Sequence, residues 1–107
     1  MKIVTTDTVA GYTITESLGT VIGNTIRARH LGKDISAGLR SLVGGEITEY
    51  TGMMAESREQ ALQRMLDRAK QMNAHAIVGI RFQTSMIMQG SAELLVYGTA
   101  VKLAQNK

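Results

Sequence analysis

Residues 32–79 read GKDISAGLRSLVGGEITEYTGMMAESREQALQRMLDRAKQMNAHAIVG, and this stretch decides the fold. Apolar residues recur in it at helical spacing in two blocks, which meet at Gly44 and Gly45. The second block runs into residues 76–80, a short apolar run typical of a buried strand. The stretch therefore predicts two helices followed by a strand.

Capping residues predict where these helices begin and end. Asp34 suits the N-cap of the first helix, because its carboxylate can accept hydrogen bonds from backbone N–H groups one turn in. Gly44 fits the left-handed position that ends such a helix. Thr48 is the predicted N-cap of the second helix, although Ser57 with Gln60 also matches a capping box. Its apolar stripe comprises Met54, Ala61, Leu62, Met65, Leu66, Ala69 and Met72. Asn73 is predicted to end the second helix in a left-handed conformation.

Outside the helices, alternating apolar and polar residues predict strands. Residues 3–5 fit a short edge strand, and a long, bent strand is predicted from Tyr12 onward. Gly19 and Gly23 in that strand indicate bulges or close backbone approach. The order strand, helix, helix, strand, strand predicts a single α+β domain over residues 1–107. Its antiparallel sheet would carry both helices on one face.

The two C-terminal strands differ in the pattern of their apolar residues. Residues 76–85 are predicted to place Val78, Ile80 and Phe82 on one face. The return strand, residues 93–103, is apolar on both faces at its centre, Leu94-Leu95-Val96-Tyr97. Because a two-layer domain buries only one face of its sheet, the second face predicts burial against another copy of the chain.

Composition excludes several classes of protein. The chain has no cysteine, which excludes disulfides and thiolate metal sites, and we expect a cytoplasmic location. No apolar run approaches the roughly 20 residues of a membrane span. The net charge of +3 is scattered, and the only local basic cluster is Arg27 and Arg29. We therefore expect neither a membrane nor a nucleic acid as a partner.

Arg58 is the residue with the clearest chemical implication. It stands within the apolar stripe, where an unpaired guanidinium would be costly to bury. Its candidate partners are Asp34, Glu46, Glu49 and the hydroxyl of Tyr50. One interpretation is an ion pair that fastens the two helices, and another is a polar pocket that binds a metal ion or a small anion. A third is that the guanidinium reaches solvent along its own stem.

Other motifs that would indicate chemistry are weak or missing. His30 and His75 have no spacing typical of a zinc site. Met86 and Met88 would share a strand face and could offer thioethers to Cu(I), although methionine usually serves packing. Neither a P-loop nor a G-x-S-x-G nucleophile elbow is present, so we expect no enzyme.

Four stretches together resemble the YbjQ family of small bacterial proteins. They are TTDTVAGYTI at residues 5–14, SAGLRSLVGGEITEY at 36–50, SREQALQRMLDRAKQMNAHAIVGI at 57–80 and VYGTAVKL at 96–103. The family carries the label "putative heavy-metal-binding" and has no established activity or catalytic residues. The resemblance implies an α+β chain assembled into a ring, a pentamer.

The resemblance also places individual residues on motif positions. They are Arg40, Gly44, Gly45, Tyr50, Arg58 and Gly79. His75 departs from the pattern, since the family often has an acidic residue there. The ligand-binding residues expected from pattern and resemblance together are Asp34, Arg40, Glu46, Glu49, Tyr50 and Arg58. The expected function is binding of a metal or small ligand by an oligomer, and the alternative is a structural or interaction ring without a ligand. Neither the sequence pattern nor the resemblance identifies a cofactor or a metal site.

Overall fold

The computed structural model describes residues 1–28, 48–88 and 91–107. Its elements are β1 (Lys2–Ile3), β2 (Tyr12–Ala28), α1 (Thr48–Gln71), β3 (Ala76–Met88) and β4 (Ser91–Gln105). The strands form one sheet in the order β1-β3-β4-β2, and α1 packs over β2 and β4. The α+β class is confirmed.

The sheet is mixed, so the prediction of a wholly antiparallel sheet is wrong. Strands β2 and β3 both pair with β4 in antiparallel fashion, whereas β1 pairs with β3 in parallel fashion. The chain passes through β2 and α1 between β1 and β3, which is enough length for it to return in the same direction.

The order of elements in the described residues is strand, strand, helix, strand, strand. The first predicted helix, from Asp34 to Gly44, lies outside them, and so do residues 89 and 90 between β3 and β4.

Helix α1 buries the stripe that its sequence predicts. Ala61, Met65 and Ala69 are fully buried against the sheet. The core that they share with the strands also contains Val21, Ile77, Ile80, Leu94, Val96 and Ala100. The other predicted stripe residues, Met54, Leu62, Leu66 and Met72, are partly buried around this core.

The end of α1 confirms the capping role of Asn73. Its φ is 60°, which is the left-handed region that asparagine tolerates better than most residues. The Ala74 N–H donates to the Ala69 carbonyl over 3.1 Å, and the Asn73 N–H donates to the Lys70 carbonyl over 3.0 Å. This pair of bonds is the Schellman pattern, which satisfies the last helical carbonyls and aims the chain into β3.

A bulge at Gly79 overturns the predicted alternation in β3. Gly79 has a φ of 62°, and the register with β4 shifts between Val78 and Arg81. Val78 therefore packs in a second cluster on the side away from α1, whereas Ile80 joins the core beneath the helix. The prediction that Val78, Ile80 and Phe82 share a face is wrong, because one extra residue inverts the pleat.

Strand β2 is as long and irregular as its sequence predicts. Its register with β4 shifts at two places, between Ile14 and Glu16 and between Ser17 and Gly19. Gly19 has a φ of 117°, which confirms a bulge at this glycine.

Candidate functional site

The side of the sheet away from α1, here called the open face, carries both apolar and polar residues and is only partly covered. At one end it is covered by the N-terminal segment, where Val4 and Val9 pack with Val78 and Val101. Beyond that cover, the open face contains Ile22, Asn24 and Ile26 from β2, Glu93, Leu95 and Tyr97 from β4, and Arg81, Gln83 and Ser85 from β3.

Alternate residues of β4 show the contrast between the two faces. Leu94 and Val96 are buried beneath α1, whereas Leu95 and Tyr97 are half-exposed on the open face. Ile26, at the same end of the open face, is 59% exposed. The second apolar face predicted for the centre of β4 is therefore present.

One polar contact joins the two strands of the open face. The Asn24 side-chain amide donates to Glu93 Oε2 over 3.2 Å, and both side chains are half-buried. The amide fixes the direction of a carboxylate that lies among apolar neighbours. Sequence reasoning missed this pair, because only the register of β2 against β4 brings the two residues together.

The predicted polar pocket is described only in part. Arg58 is exposed, beside the half-buried Met54 and Leu62 of the same helix. Its guanidinium has no carboxylate partner in the part of the chain that the structure describes. The three interpretations of Arg58 stay predictions, because the side chains of its candidate partners are not among those described.

The other predicted pocket residues lie outside the described side chains. Asp34, Arg40 and Glu46 fall in residues 29–47, and the side chains of Glu49 and Tyr50 are likewise not described. The backbone of α1 places positions 49 and 50 about 12–14 Å along the helix axis from Arg58, and position 49 on roughly the opposite side. The pocket as a whole thus stays a prediction.

Two other arginines of α1 have a role that the sequence did not indicate. Arg64 Nη1 donates to the Asn24 carbonyl and Arg68 Nη1 donates to the Ile22 carbonyl, each over 2.6 Å. Among the described strands β2 is the outermost on its side, so these carbonyls point away from β4 and have no strand partner there. The sequence placed both arginines only outside the apolar stripe.

His75 is held by the backbone of β4. The Leu103 N–H donates to His75 Nδ1 over 2.9 Å, and the His75 N–H donates to the Val101 carbonyl over 2.8 Å. Nδ1 also lies 3.2 Å from the Leu103 carbonyl oxygen, so both backbone groups of Leu103 are close to this one ring nitrogen. Nδ1 is thus engaged with the backbone of β4.

Other candidate metal ligands among the described residues are the His, Asp, Glu and Met side chains. No group of three or more His, Cys, Asp or Glu side chains within residues 1–28, 48–88 and 91–107 is arranged to hold a metal ion. A bulge separates Met86, which pairs with Ala92, from Met88, which pairs with Ser91. The simple alternation that would put positions 86 and 88 on one face is therefore broken.

The described helix is also unlike a membrane span. Its charged residues keep α1 below the apolarity that crossing a bilayer requires, and it is the one helix in the described part of the chain.

Comparisons with known proteins agree with the family resemblance. Residues 1–104 match the YbjQ_1 family model, described as "Putative heavy-metal-binding". The chain is 59% identical over 103 residues to a UPF0145 protein of Methanosarcina acetivorans. The aligned region covers 96% of this chain and 97% of the relative. It is 56% identical over 99 residues to a UPF0145 protein of Thermus thermophilus, with coverage of 92% and 87%.

A solved structure supports the fold. It is a crystal structure of a protein of unknown function, of the DUF74 family, from Pediococcus pentosaceus. The match has a TM-score of 0.66 at 19% identity and covers 97% of this chain and 98% of the other. The names of these relatives carry no enzymatic activity.

Proposed function

This chain belongs to the YbjQ family, which includes the UPF0145 proteins, and on that premise we propose that it is a homo-oligomeric ring that binds a small ligand. No activity is demonstrated for the relatives named above. The family resemblance makes a pentamer the expected size. The ligand of the proposal is a metal ion or a small anion.

The observation that carries the assembly is the amount of exposed surface. One chain exposes 7088 Å². A compact monomer of 11.6 kDa would expose about 5,800 Å², so the excess is about 1,300 Å². A standard protein–protein interface buries about 800 Å² on each partner, so the excess corresponds to between one and two such interfaces.

The shape of the molecule gives the same result. Its radius of gyration is 17.6 Å, and its extents are 58 × 25 × 16 Å. A compact domain of this length would have a radius of gyration of about 13 Å. A single elongated chain leaves more of its surface exposed than a compact domain does, and neighbouring copies could cover that surface.

The open face is the part of this surface that we propose a second copy covers. Leu95 and Tyr97 lie at its centre, with Ile22 and Ile26 alongside. Burial of apolar area is the main favourable contribution to association, at about 25 cal/mol per Å² before the costs of ordering.

Sedimentation velocity on matched variants tests this part of the proposal. Leu95→Glu places a carboxylate on the open face, and Gln71→Glu adds the same charge at the exposed end of α1. We expect Leu95→Glu to sediment as a smaller species than wild type and Gln71→Glu to match wild type. An unchanged sedimentation coefficient for folded Leu95→Glu would contradict burial of the open face.

The ligand part of the proposal concerns the predicted cluster of Asp34, Arg40, Glu46, Glu49, Tyr50 and Arg58. Its support is the exposed guanidinium of Arg58, which lies between half-buried apolar residues where a neighbour could desolvate it. A desolvated guanidinium binds carboxylate or phosphate oxygens in bidentate fashion. The metal version rests on the family description, and soft heavy metals would have to use ligands other than cysteine.

Calorimetric titration separates the two versions. The probes are Zn(II), Ni(II), Cu(I) and inorganic phosphate, added to wild type, Arg58→Met and the control Lys70→Met. Stoichiometric binding of a probe that Arg58→Met loses and Lys70→Met keeps, with assembly intact, supports the pocket. If no probe binds stoichiometrically, the ring is a structural or interaction module without these ligands.

The proposal assigns the chain no catalytic step, no nucleic-acid partner and no membrane partner. It describes a cytoplasmic protein, a location that a chain without cysteine fits.

A further inference from the structure

Strand β3 has an outer edge that is paired along only half of its length. On the side away from β4, β1 pairs with Ala76 and Ile77. The Gly79 and Ile80 N–H groups donate to the carbonyls of Thr6 and Val4. In the ranges that the structure describes, no strand continues this pairing along residues 82–88.

The hydrogen bonds of the opposite edge determine which backbone groups lie along this free stretch. Arg68 bonds the Ile22 carbonyl, so Ile22 points away from β4. Its partner Tyr97 then points toward β3, and Arg81, which pairs with Tyr97, points back toward β4. Backbone direction alternates along a strand, so Phe82 and every second residue after it, Thr84 and Met86, present N–H and C=O groups at the free edge.

The side chains of residues 82–87 are exposed and uncharged. Residues 82–88 read FQTSMIM, without a charge, proline or glycine. Phe82 is 46% exposed, Met86 80% and Ile87 49%. An uncharged, unpaired edge of this kind is a template for another strand, and natural proteins normally cover or charge it.

The opposite edge of the sheet, formed by β2, is partly blocked by arginine side chains. Arg64 and Arg68 bond the outward carbonyls of Asn24 and Ile22 at the middle of β2. An incoming strand would have to displace both guanidinium groups. Strand addition is therefore directed to the β3 edge.

We infer that residues 82–86 of β3 form a strand-addition site for an extended segment of a second copy of this chain. The inference rests on the proposed self-assembly and names one surface that it uses. We assign a second copy as the occupant because every chain exposes the same excess of surface. Another copy of the chain is the partner that is present wherever this surface needs to be covered. The absence of charge from the edge also offers nothing to a charged foreign partner.

Thr84 gives the sharpest test. Thr84→Pro removes an N–H that points away from β4, so the β3–β4 ladder keeps its bonds, and edge strands tolerate proline in such a position. Thr84→Val has a similar shape and keeps the N–H. We expect light scattering to give a smaller mass for Thr84→Pro and the wild-type mass for Thr84→Val.

Hydrogen exchange on wild type supplies a readout that does not depend on a variant folding. In the assembly, we expect the amides of Phe82, Thr84 and Met86 to exchange at least roughly tenfold more slowly than unprotected amides. Fast exchange of all three, or a wild-type mass for folded Thr84→Pro, would overturn the inference. If wild type is oligomeric and Leu95→Glu still dissociates it, the proposed function survives that failure. A monomeric wild type contradicts both.

Discussion

Gly23 of β2 and Ala61 of α1 meet backbone to backbone. A Cβ at position 23 would collide with the Ala61 carbonyl oxygen and lie 2.6 Å from the Met65 nitrogen. Gly23 is buried although it carries no side chain. Its missing Cβ therefore sets how closely the helix approaches the sheet.

Gly23→Ala should consequently destabilise the fold. The added methyl group has no room, and α1 would have to move outward as a body, at a cost of about 2–3 kcal/mol in the free energy of unfolding. Gly52→Ala is the control, since nothing lies within 4 Å of a Cβ there and alanine should stabilise the helix by about 1 kcal/mol. Urea denaturation should give opposite signs for the two variants, and a neutral Gly23→Ala would contradict the close approach.

Asn73 offers a prediction about the end of α1. Asn73→Ala should lower the free energy of unfolding by about 1 kcal/mol, because alanine resists the left-handed conformation at φ 60°. Asn73→Gly adopts it without a Cβ and should stay within about 0.5 kcal/mol of wild type. Equal losses in both variants, measured by thermal denaturation, would mean that the Asn73 side chain rather than its φ stabilises the cap.

The arginines that bond β2 should protect its edge. Arg64→Ala with Arg68→Ala frees the carbonyls of Asn24 and Ile22, and we expect roughly several-fold faster aggregation in a light-scattering time course. Removing the same charge elsewhere on the helix, with Arg58→Ala and Lys70→Ala, is the control. If both double variants aggregate alike, net charge rather than carbonyl capping explains the effect.

His75 should control the protection of one backbone amide. Nδ1 accepts from the Leu103 N–H, so His75→Phe should speed exchange of that amide, by roughly tenfold at the hydrogen-bond energies usual in proteins. In His75→Asn the side-chain oxygen replaces Nδ1 as acceptor and should retain most of the protection. Equal exchange in all three proteins would show that the bond is not formed in solution.

Local patterns predicted the parts of the fold that depend on near neighbours. The stripe of α1, its start at Thr48 and the left-handed Asn73 follow from spacing and capping within one segment. The inverted pleat after Gly79 and the parallel pairing of β1 depend on register between distant strands, which no local pattern encodes.

The same distinction between local patterns and long-range register applies to the candidate site. The second apolar face of β4 was visible in the alternation around Leu95. The Asn24–Glu93 pair and the arginine bonds to β2 were not, because they depend on how α1 and β4 lie against β2. The cluster around Arg58 stays a prediction, since Asp34, Arg40 and Glu46 lie outside the described residues.

The most direct test of the account is the mass of the wild-type protein in solution, by size exclusion with multi-angle light scattering at micromolar concentration. The account predicts one species at a whole-number multiple of 11.6 kDa, with five copies as the expected number. A stable species of 11.6 kDa that neither associates nor aggregates would contradict it. The open face and the β3 edge would then be exposed to water without a partner.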